Sequence, residues 1–213
     1  MIEIEKKVRL EPSQLRAIAQ RASLIKESHI QDTYFDTADY SYTTQNMWLR
    51  KRGEIFELKA GSKKPDGSID KYEEITDEKS ILKCLGIDDK DLPTALLEKG
   101  IFSFCSFTTW RKSYQLGELK IDIDEADFGD LKYQIAEIEI MVSDFENAHD
   151  AEQKIMHFMK EMNIDSLIPV PAKLTYYLYC KRPEHYRALV ENKVIQPLIM
   201  DLIQNEKRGT FPL

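Results

Sequence analysis

Two pairs of glutamates stand one strand period apart: Glu3 with Glu5, and Glu137 with Glu139. Side chains alternate along a strand, so both members of a pair point the same way. Carboxylates that converge like this can hold a hard divalent cation through oxygen alone, Mg²⁺ or Mn²⁺ above all. Glu74, Asp122 and Asp124 fall on comparable polar faces. Cations recur at the same spacing, at Lys7, Arg9, Arg50, Arg52, Lys59, Arg111 and Lys120. Lys and Arg gathered on one surface grip phosphate oxygens. A single Glu-x-Glu is weak, since half-exposed strands commonly alternate apolar and charged residues. Arg50 and Arg52 taken alone read as surface ion-pair partners. Both signs of charge on nearly every strand point further, to an interior that binds a polyanion together with a metal.

Those faces need strands to carry them. Strands are expected at 1–10, 31–37, 46–52, 54–60, 68–76, from about 106 to 114, at 118–124 and at 133–142. The second of these is short and aromatic. Gly53, residues 61–67, Leu116-Gly117 and residues 127–130 are the turns. Pro12 opens a helix running to about Ser23. Residues 77–100 read as short helices separated by acidic turns. An amphipathic helix follows over 145–162, then helices at 172–180 and after Pro183, an apolar segment at 194–204 and a loose tail at 209–213. A plain sandwich would bury Val, Leu and Ile on its inner faces. Here a closed eight-stranded antiparallel β-barrel of the α+β class fits better, with the charge inside and helices wrapped around the apolar outside. A charged lumen needs partners, because unpaired buried charge is costly. A polyanion held by Lys and Arg, with a hard cation on the carboxylates, supplies them.

With 213 residues, 42% hydrophobic and 31% charged, the chain suffices for one domain, 1–213, with a sizeable core. A net charge of -7 disfavours general nucleic-acid binding, which needs a basic surface. Cys84, Cys105 and Cys180 are scattered and odd in number, so neither a zinc knuckle nor a disulfide framework is indicated. The four histidines form no metal motif and are expected at the surface. The start is a charged strand rather than a signal peptide, and no apolar run approaches membrane-spanning length. A soluble, reduced, cytoplasmic protein is expected.

The opening Glu3-Ile4-Glu5-Lys6-Lys7 resembles the ExExK signature of the CYTH superfamily of triphosphate tunnel metalloenzymes. Within it, the likeness is to the animal thiamine triphosphatase branch and runs from Ile2 to about Tyr186. The stretches that carry it are residues 32–37, Trp48-Leu49-Arg50-Lys51-Arg52, Glu57-Leu58-Lys59, residues 122–129, Glu137-Ile138-Glu139 and Pro171-Ala172-Lys173-Leu174. The resemblance implies an eight-stranded tunnel and Mg²⁺-dependent hydrolysis of thiamine triphosphate to thiamine diphosphate and phosphate. It implies metal carboxylates at Glu3, Glu5, Asp122, Glu137 and Glu139, with Glu74 and Asp124 as further contributors. It places Lys7, Arg50, Arg52, Lys59, Arg111 and Lys173 on the triphosphate. Tyr34 would sit near Lys7 and orient the nucleophile, and Trp48 would stack on the thiamine rings. Glu73 stands where the vertebrate enzymes suggest a base, but alternation turns it outward. The partner implied is a small-molecule triphosphate bound by a monomer, with no nucleic acid and no membrane. Alternatives are an inorganic tripolyphosphatase, an adenylate cyclase and a non-enzymatic polyphosphate sensor. The intact acidic set argues against the sensor, and no adenine-reading motif favours the cyclase.

Overall fold

Alternating apolar and charged side chains demand strands, and strands form the frame. The computed structural model describes residues 2–61, 70–87, 91–165 and 170–198. Eight strands build one antiparallel sheet: β1 (Ile2–Val8), β2 (Ser23–Asp36), β3 (Met47–Arg52), β4 (Ile55–Gly61), β5 (Asp70–Ile75), β6 (Phe102–Leu116), β7 (Leu119–Asp127) and β8 (Lys132–Val142). Their order is β1-β5-β4-β3-β2-β6-β7-β8, and β8 pairs back onto β1 to close the ring. Closure gives every strand a partner on both sides over part of its length, but most of the first half of β2 pairs with β6 alone. Six helices accompany it among the described residues: α1 (Pro12–Arg21), α2 (Glu78–Cys84), α3 (Leu92–Glu98), α4 (Ala148–Glu161), α5 (Lys173–Lys181) and α6 (Pro183–Glu191). None of the described helices is long and apolar enough to cross a membrane.

Register decides what faces inward, because directly opposed residues on neighbouring strands share a face. Glu5 opposes Glu139, and Lys7 opposes Glu137. Asp122 opposes Glu137, and Lys120 opposes Glu139. Arg111 opposes Asp124, Arg50 opposes Glu57, and Lys59 opposes Glu74. These pairs join into one continuous charged inner face. Where helices cover it, the opposite face is apolar. Ile4, Ile121, Ile138 and Ile140 pack against Ala151, Ile155, Phe158 and Met159 of α4. Leu49, Phe56 and Leu58 pack against Ile81, Leu82, Leu92 and Leu96 of α2 and α3.

Three expectations need correction. The interior is not charged throughout: Tyr34, Cys105, Phe107, Ala126, Tyr133 and Ile135 fill one end with apolar side chains, capped by Leu174, Tyr176, Leu178 and Leu189 from α5 and α6. The helices do not cover the whole outside. On β6, Trp110 is 58% exposed and stacks on His29 of β2 with ring centroids 4.1 Å apart. And β2 extends to 14 residues where a short strand was expected. Its first half is exposed and lacks an apolar stripe, but it pairs with β6 almost from end to end. Non-local pairing, not local pattern, makes it a strand.

Smaller differences follow. β6 begins at Phe102 rather than near Ser106. His185, expected at the surface, is 1% exposed. Residues 194–198 of the expected apolar C-terminal segment are not helical. Residues 199–213, the expected loop at 62–67 and the start of the expected fifth strand at 68–69 lie outside the described residues.

Candidate active site

The inner face surrounds a cavity of about 310 Å³. Each strand brings its residues there by alternation. β1 supplies Glu3, Glu5 and Lys7, and β3 supplies Trp48, Arg50 and Arg52. Lys59, Glu74, Arg111, Lys120, Glu137 and Glu139 come from β4 to β8, Tyr34 from β2, and Lys173 from the start of α5. Glu73 is exposed, as alternation requires. Arg9 departs from expectation. It lies beyond the end of β1, sits over the Tyr133 ring at 6.0 Å, and lines a separate outer groove. Alternation stops being a guide where the strand stops.

At one side of the cavity three acids meet. Carboxylate oxygens of Glu3, Glu5 and Glu139 lie within 4.8 Å of one another, and all three residues are buried. Burial, followed by the Glu3 charge, pushes Glu139 up to about 8 although Lys120 pulls the other way. Burial also raises Glu5, against the pull of Lys7 and Lys59. For Glu3, burial is outweighed by Lys59, and its value falls. Each acid has a cation beside it: Lys7 donates to Glu5 at 2.6 Å, Lys120 to Glu139 at 2.7 Å, and Lys59 to Glu3. Asp122 is 0% exposed and accepts from Lys120 at 2.8 Å and from Arg111, yet its Oδ1 has no partner among the described residues.

A second cluster is organised by Arg111. Its guanidinium donates to Asp124 at 2.7 and 2.6 Å and to Glu137 at 2.7 Å. Lys173 reaches the same two acids from α5, donating to Glu137 at 3.0 Å and to Asp124. Burial would raise Glu137, but Lys173, Arg111 and Lys7 outweigh it and hold the carboxyl far below its usual range. Glu137 and Glu139 share a strand face but have different company. Glu139 joins the acidic triad, while Glu137 is neutralised by Arg111 and Lys173.

The third cluster lies on β3. Arg50 donates to Glu57 at 2.7 Å, and Arg52 donates both fork nitrogens to Asp32 at 2.8 and 2.9 Å. Burial disfavours the Arg50 charge, but Tyr34, Asp32 and Glu57 around it more than restore it. Tyr34 is thus neighbour to Arg50, and its ring stacks on Phe107 with centroids 5.9 Å apart. Lys7, besides Glu5, lies over the Tyr72 ring at 5.8 Å. Sequence reasoning assigned no role to Asp32 or Tyr72. The signal for Asp32 was present, because Asp32-Thr33-Tyr34 puts it on the Tyr34 face. Also unassigned were Val194, Ile195 and Leu198, which line the cavity beside Val170 and Pro171.

Comparison with known proteins bears on the family and the fold. The CYTH domain matches residues 1–169. Over 210 residues the chain is 29% identical to human thiamine-triphosphatase and 30% identical to that of Macaca fascicularis, covering 90% of both chains in each case. A protein from Pyrococcus horikoshii OT3 has a similar structure, with a TM-score of 0.57 and 14% identity over 84% of this chain and 99% of that one. So does a candidate adenylyl cyclase from Hippeastrum with a dominant triphosphatase activity, with a TM-score of 0.55 and 19% identity over 86% of this chain and 98% of that one. At such identities the two structures speak for the fold alone. The matched domain and the two relatives together show that this chain belongs to the CYTH domain family.

Proposed function

We propose that the protein is a metal-dependent triphosphatase whose substrate is thiamine triphosphate, converted with water to thiamine diphosphate and phosphate. The observation that carries the substrate is the pairing of Trp48 with Arg50. They stand two residues apart on β3 and both line the cavity. Such residues project to one side, roughly 7 Å apart. A phosphate can meet the guanidinium while a cationic ring lies on the indole. The thiamine-triphosphatase relatives support this reading.

The chain's own cations bind the phosphates. Arg50 and Arg52 are braced by Glu57 and Asp32, so their forks are oriented before substrate arrives. Lys7, Lys59, Arg111 and Lys173 complete the grip, and charge placed in advance stabilises the transition state without reorganisation. Tyr34, beside Arg50, is positioned to orient the attacking water. Water attacks the terminal phosphorus, the bridging P–O bond breaks, and the diphosphate leaves with the electron pair.

The acidic triad fits a divalent metal. The Glu3 charge makes Glu5 and Glu139 harder to ionise, and Asp122, which shares Lys120 with Glu139, has an Oδ1 without a partner among the described residues. Glu3, Glu5 and Glu139, with Asp122 close by, would hold Mg²⁺ or Mn²⁺ through oxygen. Such an ion would supply charge neutralisation on the phosphate oxygens and acidify bound water. Lys7, Lys59 and Lys120 now pair with those carboxylates. A cation on the acids would leave these lysines for the phosphates. The expected partner is a small molecule acting on a monomer, with no nucleic acid or membrane.

The test is phosphate release from thiamine triphosphate, inorganic triphosphate and ATP, with and without Mg²⁺. Trp48→Ala should lower kcat/KM for thiamine triphosphate about ten-fold or more relative to inorganic triphosphate, from a lost ring contact of about 0.5–2 kcal/mol and lost apolar area. Equal loss on both substrates would make Trp48 structural and favour inorganic triphosphate as the substrate. Cyclic AMP formed from ATP would favour the cyclase.

A further inference from the structure

Trp48 is held as well as placed. Its indole Nε1–H donates to Asn46 Oδ1 at 2.8 Å. Asn46 ends the short 3₁₀ turn Thr43–Gln45 in the left-handed region, with φ 62° and ψ 34°. Asparagine and glycine adopt that conformation at low cost. The Asn46 backbone is tied on both sides: its N–H donates to Thr43 O at 3.0 Å, and its carbonyl accepts from Gly61 N at 2.9 Å. Its side chain occupies the space above Gly61, where an added Cβ would fall on the Asn46 amide. The backbone at Gly61 is not left-handed. Glycine is therefore needed at 61 for room rather than for conformation. The turn is anchored in turn: Thr43 N–H donates to Asp36 Oδ2 at 2.9 Å, and Thr43 Oγ1 meets His185 Nε2 of α6 at 2.7 Å.

We infer that Asn46, seated on Gly61, is a positioning residue that fixes the plane of the Trp48 indole and so sets the preference for a ring-bearing triphosphate over a bare one. This rests on the reading of Trp48 as the ring platform. An indole can rotate about its χ2 bond, with two broad wells. Stacking on a cationic ring requires the face, not the edge, to meet the ligand. A hydrogen bond to the only polar atom of the indole selects one of those orientations. Among the described residues, Asn46 meets the Trp48 indole, the Thr43 carbonyl and Gly61, so its effect should fall on the ring before the triphosphate.

Three substitutions separate the parts. Asn46→Gly keeps the left-handed turn and removes the acceptor. Asn46→Asp keeps an acceptor oxygen at the same place. Gly61→Ala leaves Asn46 in the chain but takes its space. Specificity constants for thiamine triphosphate and inorganic triphosphate are measured for each variant, alongside wild type and Trp48→Ala. Asn46→Gly should lower the ratio of the two constants about five-fold, the equivalent of one lost hydrogen bond, through KM for the thiamine substrate. Asn46→Asp should recover most of the ratio, and Gly61→Ala should reduce it like Asn46→Gly. A second readout does not depend on turnover. The chain has two tryptophans, so in a Trp110→Phe background emission reports Trp48 alone. Asn46→Gly should change its emission maximum and its acrylamide quenching, and Asn46→Asp should not. If Trp48→Ala lowers the ratio while Asn46→Gly leaves it alone, the inference fails and the reading of Trp48 stands. If Trp48→Ala itself leaves the ratio unchanged, both are overturned. Equal loss on both substrates in Asn46→Gly would reduce Asn46 to a structural residue and also overturn the inference.

Discussion

The acidic triad shows how much a neighbour decides for a single residue. Glu137 and Glu139 are two residues apart on one face, yet burial and Glu3 raise one while Lys173 and Arg111 lower the other. In the proposed mechanism this separates metal holding from brace. Glu5→Gln and Glu139→Gln each keep volume and remove a charge from the candidate cation site. Activity should fall by orders of magnitude in both, with partial recovery when Mg²⁺ is raised. Full activity at low Mg²⁺ in both variants would exclude these residues as ligands. Asp32 predicts a different signature. It braces the Arg52 fork without lining the cavity. Asp32→Asn should raise KM for any triphosphate, ring-bearing or not, because a bidentate hold on a guanidinium orients it for phosphate. An unchanged KM for inorganic triphosphate would remove Asp32 from the site.

Among the elements, α6 and the turn before β3 form one unit. His185 is buried between them, with Tyr40 stacked on its ring at 4.0 Å and Phe104 edge-on at 4.8 Å. Burial lowers its value to about 4, with Asp36 pulling up and Arg182 pushing down. The unfolded chain therefore binds a proton at His185 at higher pH than the folded one does. Its stabilising share is complete above about 6.5, the free value of histidine, and drains away as pH falls toward 4. Thermal midpoints recorded from pH 7 to pH 4 should decline through this window, and His185→Gln should flatten that part of the decline. A variant curve parallel to wild type would show that another group is responsible. Elsewhere α4 is an amphipathic helix with one buried face. Its Ile155 is fully buried against β1 and β8, and Ile155→Ala should cost about 2–5 kcal/mol by denaturant unfolding.

At the level of the whole molecule, ring closure through β1 and β8 creates two interiors, a charged cavity and an aromatic plug. The plug closes the cavity's apolar end and ties α5 to the barrel, so Lys173 at the first turn of α5 reaches Asp124 and Glu137. The outside is asymmetric, with α4 on β1 and β8, α2 and α3 on β3 and β4, α1 on part of β2 and β6, and an exposed face around His29 and Trp110. Two residues of β6 measure the difference. Phe107 points into the plug, stacked near Tyr34 and edge-on to Phe128 at 4.8 Å. Phe107→Ala should cost about 3–5 kcal/mol. Trp110, three residues on and facing out, should cost about 1 kcal/mol or less on change to alanine, chiefly its stack on His29. Equal destabilisation in urea would mean that the outer face is packed after all.

Period-two alternation is a local property of an extended backbone, and it was enough to place Glu3, Glu5, Arg50, Arg52, Lys59, Arg111, Asp122, Glu137 and Glu139 on one face. The recurrence of both charge signs on that face was enough to argue that it closes inward. Local pattern could not say which acid each cation takes, since Lys173 meets Asp124 from 49 residues away. Nor could it show that Arg9 leaves the lumen, that β2 runs for 14 residues, or that His185 is buried. Those features depend on where strands end, which strand lies alongside, and which helix is laid across a turn. Such contacts are made between segments far apart in the chain, so only the closed tertiary structure decides them.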